Sequence, residues 1–220
     1  MLVVFDLDGT LIDSVRDLAE STNEVVVSYG AEPLPPEAVA AMIGDGARKL
    51  VARALAARQL TAPVDEALER YFAIYDRRLL NHTRPYAGVV EAVRELSSRG
   101  PLAVLTNKPE APARRLLEAF DMADRFGWIV GGDGPFPRKP DPRSLLHVML
   151  EAAVSAEETV LVGDSAIDAE TARRAGVRLC LARYGFGSAR GPIPTDPHDL
   201  IVDDPGDLVR VVGQVFDRRS

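Results

Sequence analysis

The sequence has a single cysteine, Cys180, set in the apolar run "VRLCLA". One thiol excludes an intramolecular disulfide and a cysteine-built zinc site. It reads as a small buried hydrophobe and is compatible with a reducing compartment. A basic excess is also missing. The formal net charge is −7, which argues against a surface for nucleic-acid backbone. Charges of both signs are interspersed, as on a solvated surface. No uninterrupted apolar run approaches the roughly 18 residues of a membrane span. The N-terminus lacks a basic segment followed by an apolar stretch and a cleavage site, so no signal peptide is expected. The expected location is the cytoplasm. There is no internal repeat and no low-complexity segment. His82, His147 and His198 are scattered without metal-ligand spacing and read as structural.

What the chain does contain is a set of short apolar runs. With 220 residues, 46% of them apolar, it allows one large domain or a core with a smaller insert. The runs are "LVVF" (2–5), "LAVLT" (102–106), "WIVG" (128–131), "TVLVG" (159–163) and "RLCLA" (178–182), with a last short "LIV" (200–202). They are too short for helices and do not alternate with polar residues. That pattern predicts strands of a parallel sheet covered on both faces. Helical patterns lie between them. Val89, Ala92, Val93 and Leu96 share one face of a helix over 88–99, and a second helix stops at Gly176. A last helix is expected over 205–217. Strand–helix alternation of this kind predicts an α/β fold with an open, mostly parallel sheet.

One long interval breaks the rhythm. Between Ser14 and about Pro85 there is helix after helix and no convincing strand. Val15, Leu18, Ala19, Thr22, Val26 and Tyr29 keep helical spacing up to Gly30. "AEPLPPEAV" is a linker with a helix start. Val64, Ala67, Leu68, Tyr71, Phe72, Tyr75 and Leu79 form a further apolar stripe. A separate helical domain over 15–84 is therefore expected, inserted into a core formed by 1–14 and 85–220. It would sit above the C-terminal edge of the sheet, where open α/β folds bind ligands.

That edge gathers chemistry. In "LVVFDLDGT", Asp6 and Asp8 lie two apart at a strand end and face one side. Gly9 lets the chain turn and lets a ligand approach the backbone. Two neighbouring carboxylates need a cation or a shared proton. Three later stretches supply groups at other strand ends: "LTNKP" with Thr106, "RKPDP" with Lys139, and "GDSAIDAE" with Asp164 and Asp168. The carboxylates of this set offer oxygen-only ligands, which suit Mg²⁺.

"DLDGT", "LTN", the lysine of "RKP" and "GDSAID" resemble, in order, the four motifs of the haloacid dehalogenase superfamily, and the match spans the whole chain. The helical insert falls where that superfamily places a small cap. An aspartate at position 8 resembles its phosphatases and phosphomutases rather than its dehalogenases. The resemblance implies that Asp6 attacks phosphorus and forms an aspartyl-phosphate, while Asp8 serves as general acid and then base. Mg²⁺ would be held by Asp6, Asp164 and the backbone carbonyl of Asp8. Lys139 would neutralise charge, and the Thr106 hydroxyl and Asn107 amide would hold phosphate oxygens. Asp168 would hold the metal's water shell; the alternative is a carboxylate that serves only the start of a helix.

A cap over the site implies a small phosphorylated metabolite as the partner, with no nucleic acid or membrane. Within the superfamily, "MIGDGARKL" is similar to the glycine-bearing cap loop of phosphoglycolate phosphatases, as is "VGGDGPFPRKPDP" (130–142). Gly44 would let backbone close over the ligand, and Arg48 or Lys49 would meet the carboxylate of 2-phosphoglycolate; Arg48 on a solvated helix face is the alternative. Pyrophosphate and sugar phosphates are the rival substrates. Phosphomutase chemistry, a Schiff-base hydrolase using Lys49 and a non-enzymatic binding protein are the remaining readings.

Overall fold

The computed structural model describes residues 1–217. The strands are β1 (Leu2–Phe5), β2 (Ile12–Asp13), β3 (Arg84–Pro85), β4 (Leu102–Leu105), β5 (Trp128–Val130), β6 (Thr159–Gly163), β7 (Arg178–Ala182) and β8 (Leu200–Val202). Six of them form one sheet in the order β5-β4-β1-β6-β7-β8, and all its neighbours pair in parallel. The apolar runs at 102–106 and 128–131 each end one residue early, which leaves Thr106 and Gly131 in the loops at the sheet edge.

Successive residues explain why these runs do not alternate in polarity. Val3 and Phe5 of β1 join one hydrophobic cluster with Val104, Val160 and Val162. Leu2 and Val4 join a second with Ala103, Leu105 and Leu161. Each face is then covered by helices. α5 (Val89–Ser97), α6 (Glu110–Ala119) and α9 (Leu208–Asp217) feed the first cluster. α7 (Arg143–Glu151) and α8 (Ala166–Ala175) feed the second. α8 ends at Gly176, which is left-handed at φ 70°, as its place after the last apolar position predicts. The last helix begins later than its expected start at 205, because Pro205–Asp207 makes a 3-10 turn first. Cys180 is a free thiol at 0 % exposure in this core. Burial, with the nearby Asp199 charge, pushes it up to about 12.

The insert holds α1 (Val15–Ser28), α2 (Pro36–Ala40), α3 (Ala47–Ala57) and α4 (Val64–Arg78). α2 opens on a proline, where the missing N–H costs nothing. α4 buries Ala67, Tyr71, Ile74 and Tyr75, while Phe72 of the expected stripe remains 39% exposed. The chain leaves and re-enters the core through β2 and β3, two-residue strands that pair antiparallel. They escape sequence patterning because two residues show no period. Beside them the fully buried Asp17 accepts hydrogen bonds at Oδ2 from His82 N, Thr83 N and Thr83 Oγ1, at 2.7–2.9 Å. Among the described residues no helix is long and apolar enough to cross a membrane.

Candidate active site

The strand order reverses at β1: the chain runs from β1 to β4 and β5 on one side, then to β6, β7 and β8 on the other. A crevice at that switch point is where open α/β sheets take ligands. Asp6 sits there, its N–H still bonded to Val162 O at 2.9 Å. The chain then tightens, with the N–H groups of Thr10, Leu11 and Ile12 all donating to Leu7 O. Gly9 in this turn has φ 91°, and a Cβ there would strike the Asp164 carboxylate. The close approach that Gly9 permits is therefore to Asp164, and Gly9 is not among the cavity's lining residues.

Asp164 follows β6. Its Oδ2 accepts from Gly187 N at 2.8 Å. Ser165 caps α8, and the fully buried Asp168 completes the capping box by accepting from Ser165 N and Oγ. Asp168 does more than cap a helix. Its Oδ1 accepts from Lys139 Nζ at 2.7 Å, and the same Nζ lies 2.8 Å from Asp6 Oδ1. Lys139 thus bridges two carboxylates at 6 % exposure.

Asp6, Asp164 and Asp168 each offer an oxygen within 4.8 Å of the others. Burial pushes the Asp6 carboxyl up to about 6, with Lys139 opposing and Asp168 adding to the rise. Burial, then the Asp168 and Asp6 charges, hold Asp164 well above the carboxylate range. Burial disfavours the Lys139 ammonium, but Asp168 and Asp6 outweigh it and raise its pKa. Three crowded carboxylates against one ammonium are short of positive charge. An all-oxygen set with that deficit fits a hard divalent cation. A second group, Asp17, Glu20 and His82, meets the same distance criterion. There Arg78 already bonds Glu20 and the two chain amides of the hinge bond Asp17, so the cation present is the protein's own.

Asp8 reaches the same cavity as Asp6. It accepts from Ser14 Oγ at 2.6 Å and from Lys108 Nζ at 3.0 and 2.9 Å. Thr106 lies 3% exposed in the loop after β4. Its oxygen accepts from Lys108 N, which leaves its own proton to donate. The Asn107 side-chain Nδ2 donates to Gly44 O in the insert and to Lys139 O, at 2.9 and 3.1 Å, so the side-chain amide ties the insert to the core. Gly44 lines the cavity with φ 119°. Arg48 does not line it. The guanidinium is half exposed and grips Asp65, so the substrate role expected of Arg48 is corrected to a surface ion pair.

The cavity lies between the sheet edge and the insert, with Ile43, Leu50, Tyr71, Phe72 and Tyr75 as its roof. It measures about 60 Å³, room for on the order of four to six waters. A family model for haloacid dehalogenase-like hydrolases matches residues 3–182. The chain belongs to that family. This haloacid dehalogenase-like hydrolase is 42% identical over 208 residues to a phosphoglycolate phosphatase of Pseudomonas putida, covering 92% of this chain and 76% of the relative. It is 39% identical over 211 residues to a phosphoglycolate phosphatase of Rhodospirillum rubrum, covering 92% and 86%. A crystal structure of a predicted phosphoglycolate phosphatase from Haemophilus somnus 129pt superposes with a TM-score of 0.90 at 29% identity, over 96% of this chain and 97% of that one.

Two residues of the hydrolase's site were not singled out from sequence, Ser14 and Lys108. Lys108 carried a signal: it follows Thr106 and Asn107 directly, and it is one of only three lysines in the chain. Two of those three, Lys108 and Lys139, are buried at the site. Ser14 looks like an ordinary residue at a helix start, and nothing in its spacing announces the bond to Asp8.

Proposed function

We propose that the protein is a Mg²⁺-dependent phosphomonoester hydrolase whose substrate is 2-phosphoglycolate. The observation that carries the reaction type is the buried cluster of Asp6, Asp164, Asp168 and Lys139 beside a small cavity under the insert. Identities of about 40% to relatives named phosphoglycolate phosphatase support the substrate. Residues 15–84 act as a cap over a core of 1–14 and 85–220.

Asp6 is the nucleophile. Its oxygen bonds to phosphorus as the bond from phosphorus to the leaving oxygen breaks, giving an aspartyl-phosphate and splitting hydrolysis into two steps. Asp8 delivers a proton to the leaving oxygen and later takes one from the attacking water. Asp6, Asp164 and the Asp8 backbone carbonyl would hold Mg²⁺, and Asp168 would anchor its surroundings. Bound there, the ion would offset the repulsion between an anionic nucleophile and an anionic phosphoryl group. Lys139 adds a fixed positive charge beside Asp6, and the Thr106 hydroxyl donates to a phosphoryl oxygen.

Phosphate release across a panel tests this reading. The panel holds 2-phosphoglycolate, pyrophosphate, glucose phosphates, a nucleoside monophosphate and an aryl phosphate, each with Mg²⁺ and with EDTA. The expected result is a kcat/KM for 2-phosphoglycolate far above the rest, abolished by EDTA. Flat, slow hydrolysis of every compound would overturn the substrate and leave the reaction type standing.

A further inference from the structure

Lys108 holds a charge that the chemistry above leaves without a purpose. Its ammonium is buried, 7% exposed as a residue, and lies 4.8 Å from the centre of the Tyr75 ring. Among the described residues it is the one cationic side chain that lines the cavity. The other nearby cations are engaged elsewhere. Lys139 serves Asp6 and Asp168. Arg48 serves Asp65, and Arg53 and Arg190 serve Asp45. Arg138 donates to Gly132 O. The side chains that the cap contributes to the lining are apolar or aromatic, so a substrate carboxylate finds no cationic partner on that side.

We propose that Lys108 is the specificity-determining residue that pairs with the substrate carboxylate; the proposal rests on the reading of 2-phosphoglycolate as substrate. Connectivity supports it. In 2-phosphoglycolate a single methylene separates the leaving oxygen from the carboxylate. Asp8 serves the leaving oxygen, and Lys108 is bonded to Asp8. An ammonium has three protons. Two meet the oxygens of Asp8, and the third is available without breaking that pair. The Tyr75 face holds the ammonium in place, and the apolar roof strengthens a charge-assisted hydrogen bond to a carboxylate.

The test compares kcat/KM for 2-phosphoglycolate with that for 2-hydroxyethyl phosphate, which has the same length and a hydroxymethyl group in place of the carboxylate. The ratio of the two is the readout. Any effect of Lys108 on Asp8 or on folding touches both substrates and cancels. In Lys108→Met the ratio is expected to fall by about tenfold or more, the size of one hydrogen bond to a charged group. Lys108→Arg keeps the charge and is expected to retain more of the preference than Lys108→Met. An unchanged ratio in Lys108→Met, with both rates lowered together, would overturn the proposal while leaving the substrate intact. An arginine variant no more selective than the methionine variant would count against it as well. A wild-type ratio near one would defeat the substrate reading itself, and the proposal with it.

Discussion

At the scale of single residues, the site holds negative charge that is unfavourable for folding. The folded Asp6 carboxyl is raised to about 6 from the ordinary 3.8. A carboxyl whose folded pKa exceeds its unfolded value favours folding below the unfolded pKa, and that contribution is lost as pH rises through about 6. At pH 7.5 and without metal, Asp6→Asn is therefore expected to melt no lower than the parent protein. Its turnover should fall by roughly three orders of magnitude or more, because an amide is no nucleophile. Thermal melting and phosphate release on one preparation check both; near-normal activity would remove Asp6 from the reaction. The same shift bears on metal affinity. A cation held by these residues would bind the ionised carboxylates, so protons would compete with it. Mg²⁺ affinity is expected to weaken between pH 7.5 and pH 5.5, as titration calorimetry at the two pH values would show.

At the scale of elements, the strands and most helices were legible because their patterns are local. A strand buried on both faces is expected to be apolar along its length; β1 and β4 are, and β6 and β7 are so after their first residues, Thr159 and Arg178. The hinge was not legible. β2 and β3 are two residues each, and the buried side chain that joins α1 to the returning chain, Asp17, does so across 65 and 66 positions. Removing it leaves three buried or half-buried donors without an acceptor. Asp17→Ala is expected to cost roughly 3 kcal/mol or more of stability, read from the midpoint of urea unfolding. Asp17→Asn retains an acceptor oxygen and should cost less.

For the whole molecule, the deciding feature is how cap and core meet. The cap loop at Gly44 and Asp45 is held from the core by Asn107 Nδ2 on Gly44 O and by Arg190 on Asp45 at 2.8 Å. Burial disfavours the Asp45 charge, yet Arg53, Arg190 and Lys49 together hold its carboxyl below the ordinary range. Arg115 of α6 adds an exposed pair with Asp76 of α4. Such contacts set how readily the cap opens and closes. Arg190→Ala is expected to raise KM several-fold with a smaller change in kcat, and to shift the melting temperature little, since part-exposed pairs contribute about 0–1 kcal/mol. Steady-state kinetics and melting separate the two effects; an unchanged KM would mean that this pair does not hold the closed form.

The sequence alone determined the sheet, the insert and the carboxylates at the strand ends. Those follow from local periodicity and from the rule that parallel strands end on one edge, which brings Asp6, Thr106 and Asp164 together whatever the details of packing. The tasks of the long polar side chains came from the tertiary structure. Lys108 meets Asp8 across 100 positions, the Asn107 side chain meets the carbonyls of Gly44 and Lys139, and Arg48 turns outward to Asp65. A flexible chain that ends in charge goes to the best partner within reach, and those partners come from parts of the sequence that only folding brings close.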